Sequence, residues 1–149
     1  MKQLCLAVLI CGVGHSGHAE CATGLEPFLS CEVGAQGKQL NVCFNSDVIV
    51  YSFGRPGDPE LVMTETVTGI DYTPWPGIGR SIFETVQFSN GGYDYNVLAG
   101  FDRMFGEETE ADHPTPFFGG GEVTRNGETL ADLSCRRETT QAPWGGFMM

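Results

Sequence analysis

The sequence predicts an all-β protein, an antiparallel β-sandwich or small β-barrel of about eight strands held by two disulfides. Three observations carry this expectation. Short runs rich in Val, Ile, Phe, Tyr and Thr recur along the chain, each stopped by Gly, Asn, Asp or Pro. The dipeptide Asn-Gly, a strong short-range signal for a tight hairpin, occurs at 90–91 and at 126–127. Four cysteines remain after an export signal, which in a small exported domain points to two disulfides rather than a metal site.

Residues 1–19 read as a signal peptide: Lys2 gives the positive start, "LCLAVLICGVG" the apolar run, and "GHA" ending at Ala19 the cleavage site. The apolar run is about half the length needed to span a bilayer. Neither Cys11 nor Cys21 follows a small residue, so a lipid anchor is not expected. The mature chain, 20–149, then belongs in an oxidising compartment, periplasmic or secreted. It retains Cys21, Cys31, Cys43 and Cys135 and contains no C-x-x-C pair of the kind zinc sites use. A pairing of Cys31 with Cys43 across a hairpin, with Cys21 and Cys135 tying the termini, is favoured narrowly over the exchange of partners.

Strands are expected at 27–33, 39–44, 47–53, 60–67, 81–88, 93–101, 120–126 and 128–135, in one domain from 20 to 135. Asn90-Gly91 and Asn126-Gly127 should form two-residue turns, and a longer hairpin loop should surround Gly37. Ile82, Val86 and Phe88 share one face of their strand, and Tyr93, Tyr95 and Val97 one face of the next. Those faces should meet in the core, leaving Asp94 and Asn96 outside. Residues 104–116 read as an acidic loop and 136–149 as a flexible tail.

Charge narrows the function. Removing Lys2 from the 8 basic residues leaves 7 against 19 acidic ones, a formal net charge of −12. Nucleic acid and anionic membrane surfaces are then improbable partners, and a basic protein would be attracted. Of three histidines only His113 survives signal removal, and no G-x-S-x-G elbow is present, so nucleophilic hydrolysis has little to work with. Glu107, Glu108, Glu110 and Asp112 offer oxygen ligands of the type Ca²⁺ takes, without EF-hand spacing. No cofactor motif stands out, and no pair of carboxylates is singled out for glycoside hydrolysis.

The stretch "TPWPGIGRSIF", 73–83, is the candidate binding loop, with Trp75, Gly77, Ile78, Gly79, Arg80 and Ser81 as its residues. Pro74 and Pro76 restrict the backbone around Trp75, the glycines permit a sharp turn, and Arg80 emerges where strand pairing resumes. Trp and Arg are the side chains most enriched at interface hot spots. The competing reading is structural: Trp75 caps the open end of the core and Arg80 pairs with a nearby carboxylate.

The pieces "FLSCEVGAQGKQLNVC", "YSFGRPGDPEL", "WPGIGR", "NGGYDYNV" and "VTRNGETLADLSC", in that order over 28–135, resemble a group of small exported bacterial all-β proteins without an assigned activity. More distantly, the chain resembles the periplasmic inhibitors of C-type lysozyme. These are small exported β-barrels with a cysteine near the first strand and another at the end, here Cys31 and Cys135. Their serine-glycine-x-x-tyrosine signature is missing here. The resemblance implies a non-enzymatic inhibitor that inserts a loop, here 75–81, into a lysozyme cleft. The alternative is an envelope module that binds protein or glycan without inhibiting anything.

Overall fold

The computed structural model describes residues 21–106 and 115–143. The expected signal peptide, the acids from Glu107 to Asp112, His113 and the stretch containing Trp144 lie outside the described residues. The described chain forms nine strands in two antiparallel sheets: β1 (Glu26–Val33), β2 (Lys38–Phe44), β3 (Val48–Arg55) and β4 (Asp58–Thr66) in one, and β5 (Asp71–Thr73), β6 (Ser81–Asn90), β7 (Tyr93–Asp102), β8 (Phe117–Arg125) and β9 (Glu128–Ser134) in the other. This is the sandwich of the expected pair of architectures. The ninth strand, β5, is only three residues long, too short for alternation to reveal it.

Each sheet is a plain meander, because strands consecutive in the chain are neighbours throughout it. The loop at 34–37 joins Val33 to its partner Lys38, as expected around Gly37. Asn126 and Gly127 take φ values of 52° and 78°, the two positive angles of the predicted turn. The other Asn-Gly expectation is corrected by one residue. Asn90 pairs with Tyr93, so the turn residues are Gly91 and Gly92, at φ 61° and 82°. Two glycines meet the demand for positive φ without a Cβ at either place, and so displace Asn90 into the strand.

The inner faces follow the alternation. Leu29, Leu40, Val42, Ile49 and Tyr51 from one sheet meet Val86, Phe88 and Val97 from the other, all at most 1% exposed. Val86 pairs with Val97 and Phe88 with Tyr95, as the sequence grouping requires. The Tyr51 ring lies 5.6 Å from the rings of both Phe88 and Tyr95, tilted by 58° against each, and so joins the sheets through aromatic contacts.

The favoured cysteine pairing is wrong. The disulfides are Cys21–Cys43 and Cys31–Cys135, with Cα separations of 5.7 and 5.5 Å. Register explains it: Cys31 stands opposite Leu40, and Cys43 opposite Pro27. Cys43 is three residues from Leu40, roughly 10 Å along the strand, and an odd step puts it on the opposite face. Cys31 therefore points into the core and reaches Cys135 at the end of β9. Cys43 points outward and takes the incoming Cys21. Two disulfides in a small domain are consistent with an oxidising, exported location.

The packed chain extends past the expected boundary at Cys135. Arg136 N–H donates to Glu32 O at 2.8 Å, and Ser30 and Gln141 exchange two backbone hydrogen bonds at 2.8 Å. A 3-10 turn at Arg137–Thr139 lies between them, and Thr140 and Ala142 are buried. This segment lies along the edge of β1 and joins the two sheets on that side. Residues 136–143 are thus part of the domain and not of a free tail. No helix among the described residues is long and apolar enough to cross a membrane.

Candidate functional site

The chain leaves β5 at Thr73, and β6 begins at Ser81, so residues 74–80 form a loop between neighbouring antiparallel strands. Three contacts fasten it. The Trp75 indole Nε1–H donates to Ile78 O at 3.1 Å, closing the loop on itself. Gly77 and Gly79 sit at φ 83° and 96°, and a Cβ at either would meet nothing within 4 Å. Backbone conformation, not space, requires glycine at both places.

The second contact is the Arg80 fork. Its Nε–H donates to both Asp102 oxygens, at 2.9 and 2.8 Å, and its Nη2 lies 2.7 Å from Oδ2. A planar guanidinium holding one carboxylate through two nitrogens fixes direction as well as distance. Asp102 is 8% exposed and also accepts the Met104 N–H at 2.9 Å on Oδ1, so the acceptor is itself held in place. Ser81 pairs with Asp102 across the β6–β7 ladder, which carries Arg80 to the carboxylate. The third contact is the Arg103 guanidinium, 5.9 Å from the Trp75 ring centroid, within cation–π reach.

Trp75 is half-buried and outside the main core cluster, so it fastens the loop and does not cap the sandwich. What the loop presents is Ile78. At 76% exposure it is the most exposed large hydrophobic side chain among the described residues; Met104, following Arg103, is 36% exposed. Two of the chain's eight Lys and Arg residues belong to this region of an acidic molecule, Arg80 at the end of the loop and Arg103 against the Trp75 ring. The six residues singled out in the sequence thus fall on one continuous structure.

Sequence reasoning missed Asp102. A signal for it existed: with the turn centred on Gly91-Gly92, counting back along both strands puts Ser81 opposite Asp102. Centring on Asn90-Gly91 puts Ser81 opposite Gly100 instead, which hides the partner. No group of three or more His, Cys, Asp or Glu side chains among the described residues is placed to hold a metal ion. No family model, curated protein or solved structure matches the chain.

Proposed function

We propose that this is an exported, non-enzymatic binding protein that engages a protein partner through loop 74–80, and that its target is a lysozyme-type cell-wall hydrolase in the periplasm or outside the cell. The observation that supports this reading is the fastened loop: Trp75, Arg80 and Asp102 fix its shape while Ile78 stands exposed at its tip. A loop already held in one conformation avoids an ordering cost of about 0.5–1.5 kcal/mol for each side chain that association would otherwise immobilise. Ile78 supplies the apolar anchor, and Arg103 brings positive charge towards a cleft that holds catalytic carboxylates. The acidic remainder of the molecule steers it to a basic enzyme. Asp102 already holds Arg80, so in this reading the arginine sets loop geometry while Ile78 inserts.

The test is cell-wall lysis by C-, G- and I-type lysozymes with and without the oxidised mature protein. Protection at near-stoichiometric protein by at least one type is expected. Ile78→Asp should weaken it at least tenfold while leaving the thermal midpoint within a few degrees of the parent. Asp102→Asn should weaken it less, by loosening Arg80. No protection across the panel would overturn inhibition and leave an envelope-binding module. Clearance of cell walls by the protein alone would overturn the non-enzymatic reading.

A further inference from the structure

The outer face of the five-stranded sheet carries a groove of about 420 Å³ that crosses β6 to β9. Val97 is buried in the core, so its neighbours Asn96 and Leu98 point out of the sandwich. Register then builds two adjacent rows across the sheet: Leu98, Gly120 and Ser134 in one, and Asn96, Glu122 and Asp132 in the next. The floor is Leu98 and the bare backbone of β8. A Cβ on Gly120 would lie 3.0 Å from Leu133 O, so a side chain there would be crowded and the floor stays open.

The walls are hydrogen-bond acceptors on exposed side chains. Glu122 accepts a hydrogen bond from the Thr129 hydroxyl and Asp132 one from the Ser134 hydroxyl. These two carboxylates are direct cross-strand partners, a like-charge placement that destabilises a sheet unless something positive sits between them. The groove lining contains no Lys or Arg. Its volume lies within the range of small-molecule sites. Four strands at about 4.8 Å spacing make it roughly 14 Å across, longer than one ring.

We propose that this groove binds an amine-bearing oligosaccharide. The flat C–H face of a sugar ring lies on Leu98 and the glycine backbone. Ring hydroxyls meet Asn96 and Ser134, and the ammonium sits between Glu122 and Asp132. The two carboxylates exclude phosphorylated or uronic-acid ligands. This site is separate from loop 74–80 and does not depend on it.

Calorimetric titration of the full oxidised protein with the glucosamine hexamer tests the proposal. Its comparators are the N-acetylglucosamine hexamer and 1,6-diaminohexane. The expected result is one-to-one binding of the glucosamine hexamer, at least tenfold tighter than either comparator. Asp132→Asn and Asn96→Ala should each weaken it at least tenfold, and Glu65→Gln on the other sheet and Ile78→Asp should leave it unchanged. Absence of binding overturns the proposal. So does equal binding of the acetylated hexamer, which removes the ammonium, or of the diamine, which removes the ring. An equal loss in Glu65→Gln would reduce the effect to overall charge and overturn it as well.

Discussion

The four-stranded sheet fills its inner face with Leu29, Leu40, Val42, Ile49 and Tyr51, whereas β8 in the facing sheet carries Gly119, Gly120 and Gly121 in succession. The two patterns are complementary. A Cβ on Gly119 would lie 2.6 Å from Leu29 Cδ1, and one on Gly121 would lie 3.2 Å from Leu40 Cδ2. Bulk on one sheet is received by missing side chains on the other, which is how a core reaches close packing without voids. The same glycine run has a second effect, since it leaves the outer surface of β8 bare and so makes the floor of the groove. Three consecutive glycines, weak strand formers by propensity, thus lie in a central strand, and what they omit shapes both of its faces.

The largest expected effect separates the two disulfides. Cys31–Cys135 ties β1 of one sheet to the end of β9 in the other across 104 residues, while Cys21–Cys43 fastens an incoming segment to the four-stranded sheet across 22. Chain-entropy reasoning gives about 4.7 kcal/mol for the longer loop and about 3.4 for the shorter. Urea unfolding of C31A/C135A should therefore show a loss exceeding that of C21A/C43A by about 1 kcal/mol or more. The longer-loop variant also loses the covalent link between the sheets. The reverse order would mean that the sheets hold each other without it, and that the N-terminal segment matters more.

The glycines give the next effect. At Gly119 a methyl group would meet Leu98 O as well as Leu29, both at 2.6 Å, and a carbonyl inside a ladder cannot retreat. Gly119→Ala should cost about 2–3 kcal/mol, in the range for overpacked cores. At Gly121 the nearest atom is the end of a leucine side chain, which can shift by a few tenths of an ångström. Gly121→Ala should fall within about 1 kcal/mol of the parent, because reduced freedom of the unfolded chain offsets the crowding. Chemical unfolding midpoints check both. Equal losses at the two positions would mean that the sheets do not interlock in the way described.

What the sequence made legible follows from how each feature is encoded. Faces were readable, since alternation assigns Val86, Phe88, Tyr95 and Val97 to one side, and moving the turn by one residue preserves which faces meet. Register was not, because the same one-residue move shifts every cross-strand partner by two positions and so concealed Asp102 from Arg80. Cysteine pairing failed for a related reason: Cys31 and Cys43 lie on neighbouring strands, and only the register reveals that they face opposite sides. The loop at 74–80 was visible as a composition anomaly. Its fastening was not visible, since two of its three anchors lie more than 20 residues away, at Asp102 and Arg103. The groove left no local signal at all, being assembled from β6, β7, β8 and β9.

The smallest effect contrasts a tyrosine from each sheet at alkaline pH. Tyr51 is 1% exposed among Phe88 and Tyr95, and burial, reinforced by the Tyr95 charge, holds its phenol well above the ordinary tyrosine range. Tyr72, on β5, is also raised, by burial first and then by the Glu84 carboxylate that accepts its hydroxyl hydrogen bond at 2.5 Å. In the unfolded chain both phenols ionise near pH 10, as model tyrosines do. A raised folded pKa means that the unfolded state releases its protons first, so stability is independent of these groups below about pH 10 and falls as pH rises above it. Unfolding midpoints at pH 8 and pH 11 should show this loss. Tyr51→Phe should remove more of it than Tyr72→Phe, because Tyr51 lies wholly inside the core and Tyr72 sits on an edge strand where water can reach the phenolate. If Tyr72→Phe removed the larger share, the hydrogen bond to Glu84 would outweigh burial, and the edge of the five-stranded sheet would be more tightly closed than its short β5 strand implies.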